Sequence, residues 1–157
     1  MNENPFGKLL WSIALPGFGQ LLNGKYIKGI VVIFLEFLVN VQGNFNVVIL
    51  LSFHLEIGKA IEQADFQWLM FYPCLYFFAM WDAYKDASGG EKPYSFLPFV
   101  FSAFFVTVGL IYSSNLMICG VLFGPVFLPM LGIIPGIGAG LLLKKLLQIN
   151  KNKPPQS

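Results

Sequence analysis

Long apolar runs separated by short polar stretches dominate the pattern of this chain. Four of the runs approach or exceed the ~20 residues that an α-helix needs to cross the hydrocarbon core of a bilayer. The predicted membrane segments are residues 26–42, 66–82, 95–113 and 116–147. The pattern therefore predicts an all-α fold, a polytopic bundle of transmembrane helices that forms a single membrane domain over residues 1–157, with one or two shorter helices beside the four spans.

The first apolar run, residues 9–22, is shorter than the others and is interrupted by Pro16-Gly17 and Gly19. Proline breaks the hydrogen-bond ladder of a helix. Irregular backbone is tolerated at membrane depth only where it faces protein or water. The sequence leaves two interpretations open here, a short tilted crossing and a re-entrant helix.

Residues 43–65 are ambiguous in a different way. Residues 45–53 are apolar but short, and residues 55–65 alternate apolar and charged positions at helical spacing. Amphipathic helices of this kind lie in the plane of the membrane interface. We therefore expect an extracytoplasmic interfacial segment here in preference to a true crossing, and a polar tail at residues 148–157.

The last apolar run is too long for a straight crossing. A helix over residues 116–143 would measure ~42 Å, against a hydrocarbon core of ~30 Å. Tilt, a break, or kinks at Pro125, Pro129 and Pro135 must absorb the excess.

Glycines recur in this same run at multiples of four residues, which places them in one stripe on a helix. In lipid, small residues allow helix backbones to approach closely and supply the packing. We expect the part of the stripe from Gly132 onward to form the tightest helix contact, within the bundle or across a homodimer. The glycines are Gly120, Gly124, Gly132, Gly136 and Gly140.

The composition supports a membrane environment. Hydrophobic residues make up 56% of the chain and charged residues 11%, against roughly 25% charged residues in soluble domains. The net charge is only +2 and every basic residue is lysine, so nucleic acid is not an expected partner. The expected partners are the lipid bilayer and a second copy or another membrane protein. Cys74 and Cys119 lie in apolar runs and are expected to be buried thiols without a disulfide.

The lysines predict how the chain threads the membrane. Cytoplasmic loops of membrane proteins carry an excess of positive charge. One threading places eight lysines on a single side and leaves only Lys59 on the other, with the side of Lys8 undecided. It predicts a protein of the cell membrane with a cytoplasmic C-terminus and residues 43–65 outside. The eight are Lys25, Lys28, Lys85, Lys92, Lys144, Lys145, Lys151 and Lys153.

The turn after the first run carries a recognisable pattern, Pro16-Gly17-x-Gly19-Gln20-x-x-Asn23-Gly24, followed by Lys28-Gly29. This turn resembles that of TM2-domain-like proteins, which are small helical membrane proteins. Trp81-Asp82 is similar to the end of the second helix of that family. The family's more typical turn, His-Arg-Phe-Tyr-x-Gly, is absent. The resemblance implies a membrane topology and a bacterial origin, and it implies no activity.

Glu36 is the ionisable residue placed deepest in a predicted span. It follows Tyr26 by ten residues, which corresponds to a depth of ~15 Å. A charge at that depth costs at least ~2.5 kcal/mol unless it is neutralised or paired. It could serve a proton- or cation-coupled site. Alternatively, it could hold helices together through a hydrogen bond to an amide such as Asn40 or Gln20.

A second polar group maps to the predicted cytoplasmic interface. It can be interpreted as a polar vestibule or a surface that docks a partner. It can also be interpreted as a charge pair with helix caps that fixes a helical hairpin. Its members are Gln20, Asn23, Lys25, Lys28, Asp82 and Asp86.

Motifs that would indicate an enzyme are weak. His54 is the only histidine and cannot form a zinc site with Glu56 alone. The run Gly136-x-Gly138-x-Gly140 lacks the preceding strand of a dinucleotide fingerprint. We expect no catalytic residues, cofactor or metal. Three functions remain open: an accessory, assembly or scaffold protein acting through helix–helix contacts, which we favour; a small transporter or channel that uses Glu36; and, with least support, a membrane-embedded enzyme.

Overall fold

The computed structural model describes residues 4–151, which are mainly α-helical, as the sequence predicts. A short antiparallel β-hairpin between α8 and α9 is an addition that the sequence did not predict. The helices are α1 (Pro5–Ala14), α2 (Phe18–Leu22), α3 (Tyr26–Gln42), α4 (Phe45–Phe53), α5 (Ile57–Gln63), α6 (Phe66–Leu69), α7 (Phe71–Asp86), α8 (Leu97–Tyr112) and α9 (Gly124–Lys151); the strands are β1 (Met117–Ile118) and β2 (Val121–Leu122).

Within residues 4–151, helix α9 alone is both long and apolar enough to cross a membrane unaided. Helices α3 and α4, bent by 64° at the break between them, qualify as a second span if they are counted together. Helices α7 and α8 have 16 residues each, ~24 Å, which is shorter than the hydrocarbon core. Only 28% of the most apolar window of α9 is buried, unlike the core helix of a soluble protein. Length and composition are thus compatible with membrane association.

Large apolar side chains cover much of the outer surface. Ile27 is 83% exposed and Ile134 is 72% exposed, while the interior holds small residues such as Ala60 and Ala79 together with larger ones such as Leu69. Soluble proteins rarely expose large contiguous apolar patches. Lipid tails are as apolar as these side chains, so the same surface carries no penalty in a membrane. The exposed apolar surface therefore fits a lipid environment.

The helices run between two ends, and three lysine-bearing parts of the chain meet at one of them. Lys28 Nζ lies 2.8 Å from Asp82 Oδ1 near the end of α7. Gln148 Nε2 of α9 donates to the carbonyl oxygen of Pro93, at 3.3 Å. We call this the lysine end.

The other end holds α5 and the β-hairpin. Asn44 Nδ2 donates to the carbonyl oxygen of Gln63 at 3.2 Å. A Cβ added to Gly124 would lie 2.7 Å from Ile57 Cγ2. We call this the hairpin end.

Helices α1 and α2 form a tight helical hairpin that begins and ends at the lysine end. The reversal passes through Gly17, whose φ of 95° lies in the left-handed region that glycine adopts without a steric cost. A Cβ on Gly19 would lie 2.7 Å from both the Lys8 carbonyl oxygen and Ala83 Cβ, so α2 returns to the level where α1 starts. The hairpin has the reversed shape of the re-entrant interpretation, and the position of residues 9–22 in a membrane stays a prediction. Lys8 consequently joins the lysine end.

Helices α8 and α9 form the most extensive contact between elements. Three glycines of α9 face the backbone of α8. A Cβ on Gly132 would lie 2.7 Å from the Phe105 carbonyl oxygen, and one on Gly140 would lie 2.5 Å from Pro98 Cα. Gly136 lies between them on the same face. We call Gly132, Gly136 and Gly140 the glycine seam.

The two remaining glycines of the predicted stripe do not belong to the seam, so that part of the prediction is wrong. Gly120 lies in the turn of the β-hairpin with a φ of 78°, and nothing lies within 4 Å of its Cβ position. Gly124 is the first residue of α9 and faces Ile57 of α5. The predicted stripe fails there because the helix begins only at Gly124. The hairpin takes up the first residues of the predicted run, but α9 still has 28 residues, ~42 Å, and so remains longer than the hydrocarbon core.

Several boundaries and exposures also differ from the expectations. Helix α7 extends four residues past the predicted end at residue 82, and α9 continues into the predicted polar tail as far as Lys151. Residues 152–157, with Lys153, lie outside the described residues. Cys74 and Cys119 are exposed free thiols, so the expected burial is wrong. An apolar run does not imply burial within the chain when helices present apolar faces outward.

Candidate functional site

The polar residues predicted at the cytoplasmic interface converge on the end of α7. Gln20 is fully buried, and its Nε2 donates to the carbonyl oxygen of Ala79 at 2.8 Å and to Asp82 Oδ2 at 3.2 Å. Asn23 Nδ2 donates to the carbonyl oxygen of Ala83 at 2.8 Å. The α1–α2 hairpin is therefore tied to α7 by side-chain amides that bind backbone carbonyl groups.

Lys28 adds a charge pair to these bonds. Its Nζ donates to Asp82 Oδ1 at 2.8 Å and to Asp86 Oδ2 at 3.0 Å. The two carboxylates lie four residues apart on one face of α7, where like charges repel. Their side chains are only 13% and 16% exposed, whereas Lys28 is 50% exposed. Lys28 therefore compensates two carboxylates that are largely withdrawn from water. We call Gln20, Asn23, Lys28, Asp82 and Asp86 the polar clamp.

The glycines of the turn allow this close approach. A Cβ on Gly17 would lie 2.7 Å from the Gly29 carbonyl oxygen, and one on Gly29 would lie 2.9 Å from the Gly17 carbonyl oxygen. The backbones of the turn and of α3 are thus in contact, and neither position has room for a side chain. Lys25 is exposed at the start of α3 and is not part of the clamp.

Two oxygens of the clamp keep unused hydrogen-bonding capacity. Gln20 Oε1 and Asn23 Oδ1 are buried and accept no hydrogen bond from residues 4–151. Because both atoms are withdrawn from the surface, a partner protein cannot reach them. This favours the interpretation of the cluster as a fastening of the hairpin over its interpretation as a docking surface.

Glu36 lies on α3 and is half-buried. The expected hydrogen bond from Glu36 to Asn40 or Gln20 is not formed. Asn40 Nδ2 donates to Asn46 Oδ1 at 3.2 Å because the bend after α3 turns α4 back toward it. Gln20 is engaged with α7.

The clamp and Glu36 are separate polar regions. Lys28 and Glu36 lie eight residues apart on α3, ~12 Å along the axis. Val32, which is buried, lies between them. The arrangement therefore consists of a fastening at the lysine end and a separate acid further along α3.

The hairpin end carries one local ion pair. Lys59 Nζ lies 2.5 Å from Glu56 Oε2, three residues apart at the start of α5. The hydrogen bond to Lys59, and then its charge, lower the pKa of Glu56. Among residues 4–151, no group of three or more histidine, cysteine, aspartate or glutamate side chains could hold a metal ion.

Tyr72 and Tyr76 of α7 escaped the sequence analysis. Their rings stack with centroids 5.7 Å apart, and the Tyr76 hydroxyl donates to the carbonyl oxygen of Ile13 at 2.6 Å. Their spacing of four residues, which puts both on one face of a helix, was the available signal.

Comparison of the chain with protein-family models, with curated proteins and with solved structures finds no match.

Proposed function

We propose that this is an integral protein of a bacterial cell membrane that acts as an accessory, assembly or scaffold protein through helix–helix contacts. The observation that carries the proposal is the outer surface, which exposes many large apolar side chains, among them Ile27 and Ile134. In this proposal α3, α7, α8 and α9 cross the bilayer, and the α1–α2 hairpin is re-entrant. The lysine end, with the C-terminus, faces the cytoplasm.

The lysines support this orientation. The turn with Lys28, the end of α7 and the part of α9 near Gln148 lie together, and Lys8 lies beside Ala83 at the same end. The likeness to TM2-domain-like proteins belongs to the same proposal. The contact between Gly17 and Gly29 gives a physical reason for the glycine spacing of that turn.

A scaffold role is supported by how the polar groups are used. The amides and charges of the clamp hold the hairpin to α7. The outer surface that remains is apolar and is available for contacts with other helices. On α9 the outward residues Ile134, Leu141 and Leu142 are 72%, 50% and 61% exposed. In lipid, such a face can contact a second copy or another membrane protein by van der Waals packing.

In-cell photocrosslinking tests the proposal. A photoreactive amino acid replaces Ile134 on α9, and Phe37 on α3 serves as a matched exposed position. We expect a discrete protein adduct from position 134, whose mass tells a second copy from another protein. Adducts with lipid alone at both positions, or recovery of the protein outside the membrane fraction, would contradict the proposal.

A small transporter or channel that uses Glu36 is the second candidate. It is favoured by the half-burial of Glu36 on α3, where its carboxyl group makes no hydrogen bond or ion pair with residues 4–151. The variant Glu36→Gln separates the two candidates. A scaffold keeps its crosslinks, and proteoliposomes show the same proton and cation flux with and without the substitution. A flux through the wild-type protein that Glu36→Gln abolishes would favour transport.

A further inference from the structure

The β-hairpin between α8 and α9 is apolar and lies at the surface. Its strands pair antiparallel, Met117 with Leu122 and Ile118 with Val121. Met117 is 63% exposed, Val121 55% and Ile118 39%. The turn projects into open space, because nothing lies within 4 Å of the Cβ position of Gly120. Contiguous exposed apolar residues of this kind mark an interaction site or an aggregation hazard.

Exposure on both faces of the hairpin indicates what surrounds it. Successive side chains of a strand point to opposite faces. Met117 and Ile118 therefore lie on different faces, and both are exposed. A protein that docks on one face leaves the other face in water, whereas lipid surrounds a projecting element on all sides. The sequence has no charged residue between Lys92 and Lys144, so no charge in the hairpin opposes contact with lipid.

The length of α9 gives the depth of the hairpin. Lys144 is the first charged residue of this helix counted from Gly124 and marks the edge of the hydrocarbon core at the lysine end. The helix rises ~30 Å from Gly124 to Lys144, which matches the thickness of the core. The hairpin precedes Gly124 directly, so it lies at the opposite edge of the core. A tilt of α9 brings it deeper.

The backbone of the hairpin limits how deep it can lie. The sheet has two strands, so the outer edge of each strand pairs with nothing in the sheet. Open sheet edges do not occur in hydrocarbon, because unpaired backbone groups are costly there. The head-group layer supplies water and polar groups to such edges. Helix α5 fits the same level, because Ile57 meets Gly124 while the ion pair of Glu56 with Lys59 lies at the surface.

We propose that the β-hairpin inserts into the interfacial layer of a phospholipid membrane, with its side chains among the acyl chains and its strand edges at the level of the head groups. The hairpin then anchors the connection between α8 and α9 and fixes the depth of the hairpin end. The inserted side chains are those of Met117, Ile118 and Val121. This inference rests on the membrane residence proposed above and does not depend on the scaffold role.

Fluorescence quenching in phosphatidylcholine vesicles tests the inference. Cys119 is an exposed free thiol in the turn, so it carries a probe without a substitution in the hairpin. The full chain with Cys74→Ser is labelled there with an environment-sensitive fluorophore. We expect a nitroxide near the head-group end of the lipid acyl chains to quench this emission strongly and iodide in the water to quench it weakly. The Gln63→Cys variant without the natural cysteines, labelled at an exposed position of the same end, should show the reverse order.

The quenching pattern has three outcomes that overturn the inference. Iodide quenching at Cys119 equal to that of the Gln63→Cys variant places the hairpin in water. Protection of Cys119 from both quenchers shows that protein covers the hairpin. Stronger quenching by a nitroxide at the end of the acyl chains than by the shallow one places the hairpin in the bilayer centre.

A pair of variants tests the part of the side chains. Val121→Asp puts a carboxylate beside the turn and should increase iodide quenching at Cys119, because a charge is costly among acyl chains. Val121→Leu stays apolar and should leave the pattern unchanged. Equal patterns in the two variants overturn the inference, and if Val121→Asp misfolds the measurement on the unsubstituted hairpin still decides.

Flotation of the vesicles after a carbonate wash measures membrane residence separately. A protein that does not float with the lipid overturns the proposed function and this inference with it. A protein that floats while iodide reaches Cys119 freely overturns the inference alone.

Discussion

Gly136 of α9 lies directly against the backbone of Ser102 in α8. A Cβ added to Gly136 would come within 2.5 Å of Ser102 Cα and 3.0 Å of the Phe101 carbonyl oxygen. These are backbone atoms of a packed helix, so they cannot move aside as a flexible side chain could. The glycine seam thus sets how closely the two helices approach.

Replacing Gly136 with leucine should force α8 and α9 apart. We expect Gly136→Leu to lower the free energy of unfolding in detergent by about 3 kcal/mol, at the upper end of the usual cost of overpacking. Gly138→Leu is the control, because nothing lies within 4 Å of that Cβ position and the change should be within about 0.5 kcal/mol. Equal unfolding midpoints for the two variants would show that the seam is not a tight contact.

Lys28 and Asp82 should be energetically coupled. A double-mutant cycle with Lys28→Met and Asp82→Asn should give a coupling free energy of about 1–2 kcal/mol. This lies between exposed and buried ion pairs because Lys28 is half exposed while Asp82 is largely buried. Lys25→Met, outside the clamp, should leave the unfolding free energy nearly unchanged. Coupling below about 0.3 kcal/mol would contradict a stabilising clamp.

A methyl group at Gly19 should loosen the α1–α2 hairpin. Its Cβ would lie 2.7 Å from the Lys8 carbonyl oxygen, whereas at Gly7 the nearest atom of Asn4 is 3.8 Å away. Gly19→Ala should therefore destabilise the protein by about 1–3 kcal/mol and increase hydrogen exchange in α1 and α2. Gly7→Ala should do neither. Identical exchange in the two variants would argue against close docking.

The proposed orientation predicts opposite labelling at the two ends. Both natural cysteines are exposed and must first be replaced, with Cys74→Ser and Cys119→Ser. An impermeant thiol reagent applied to intact cells should then label the Gln63→Cys variant and should label the Ser88→Cys variant only after lysis. The reverse pattern would place the lysine end outside the cytoplasm.

The pair at the start of α5 predicts a local pH effect. Because Lys59 lowers the pKa of Glu56, folding favours the carboxylate, and the pair stabilises the folded state above the ordinary Glu56 pKa. That contribution is lost as the pH falls through the lowered value. Lys59→Met should return the Glu56 pKa to its ordinary range, as measured by carboxyl NMR titration. Equal midpoints before and after the substitution would refute the effect of Lys59.

The mainly helical fold could be predicted, because apolar runs of this length favour helices over strands. The β-hairpin could not be predicted from the sequence. Its strands, Met117–Ile118 and Val121–Leu122, are as apolar as the helices beside them, so hydrophobicity shows no boundary. The turn depends on positive φ angles at Cys119 and Gly120. Residues other than glycine seldom adopt a positive φ, so a cysteine at this position does not indicate a turn.

The polar clamp shows a similar division. Residue types suggested a pairing of Lys28 with Asp82, since opposite charges that share an interface attract. The partners of Gln20 and Asn23 include backbone carbonyl groups of Ala79 and Ala83, which leave no trace in a side-chain pattern. The partner expected for Glu36 was wrong for a related reason. The bend after α3 brings Asn46 within hydrogen-bond distance of Asn40. The direction of that bend is set by tertiary packing, which a residue pattern does not show.

The bond from Gln20 to the carbonyl oxygen of Ala79 joins residues 59 positions apart in the chain. A ribosome adding about 5–20 residues per second needs roughly 3–12 s to make that length of chain. During this interval the amide of Gln20 and the charge of Lys28 have no α7 to bind. An unsatisfied amide is costly in hydrocarbon, so in the proposed membrane location the nascent turn stays at the water-facing edge until α7 has been inserted. The N-terminal hairpin is thus the first part of the chain to be made, yet it can dock only after α7 has been synthesised.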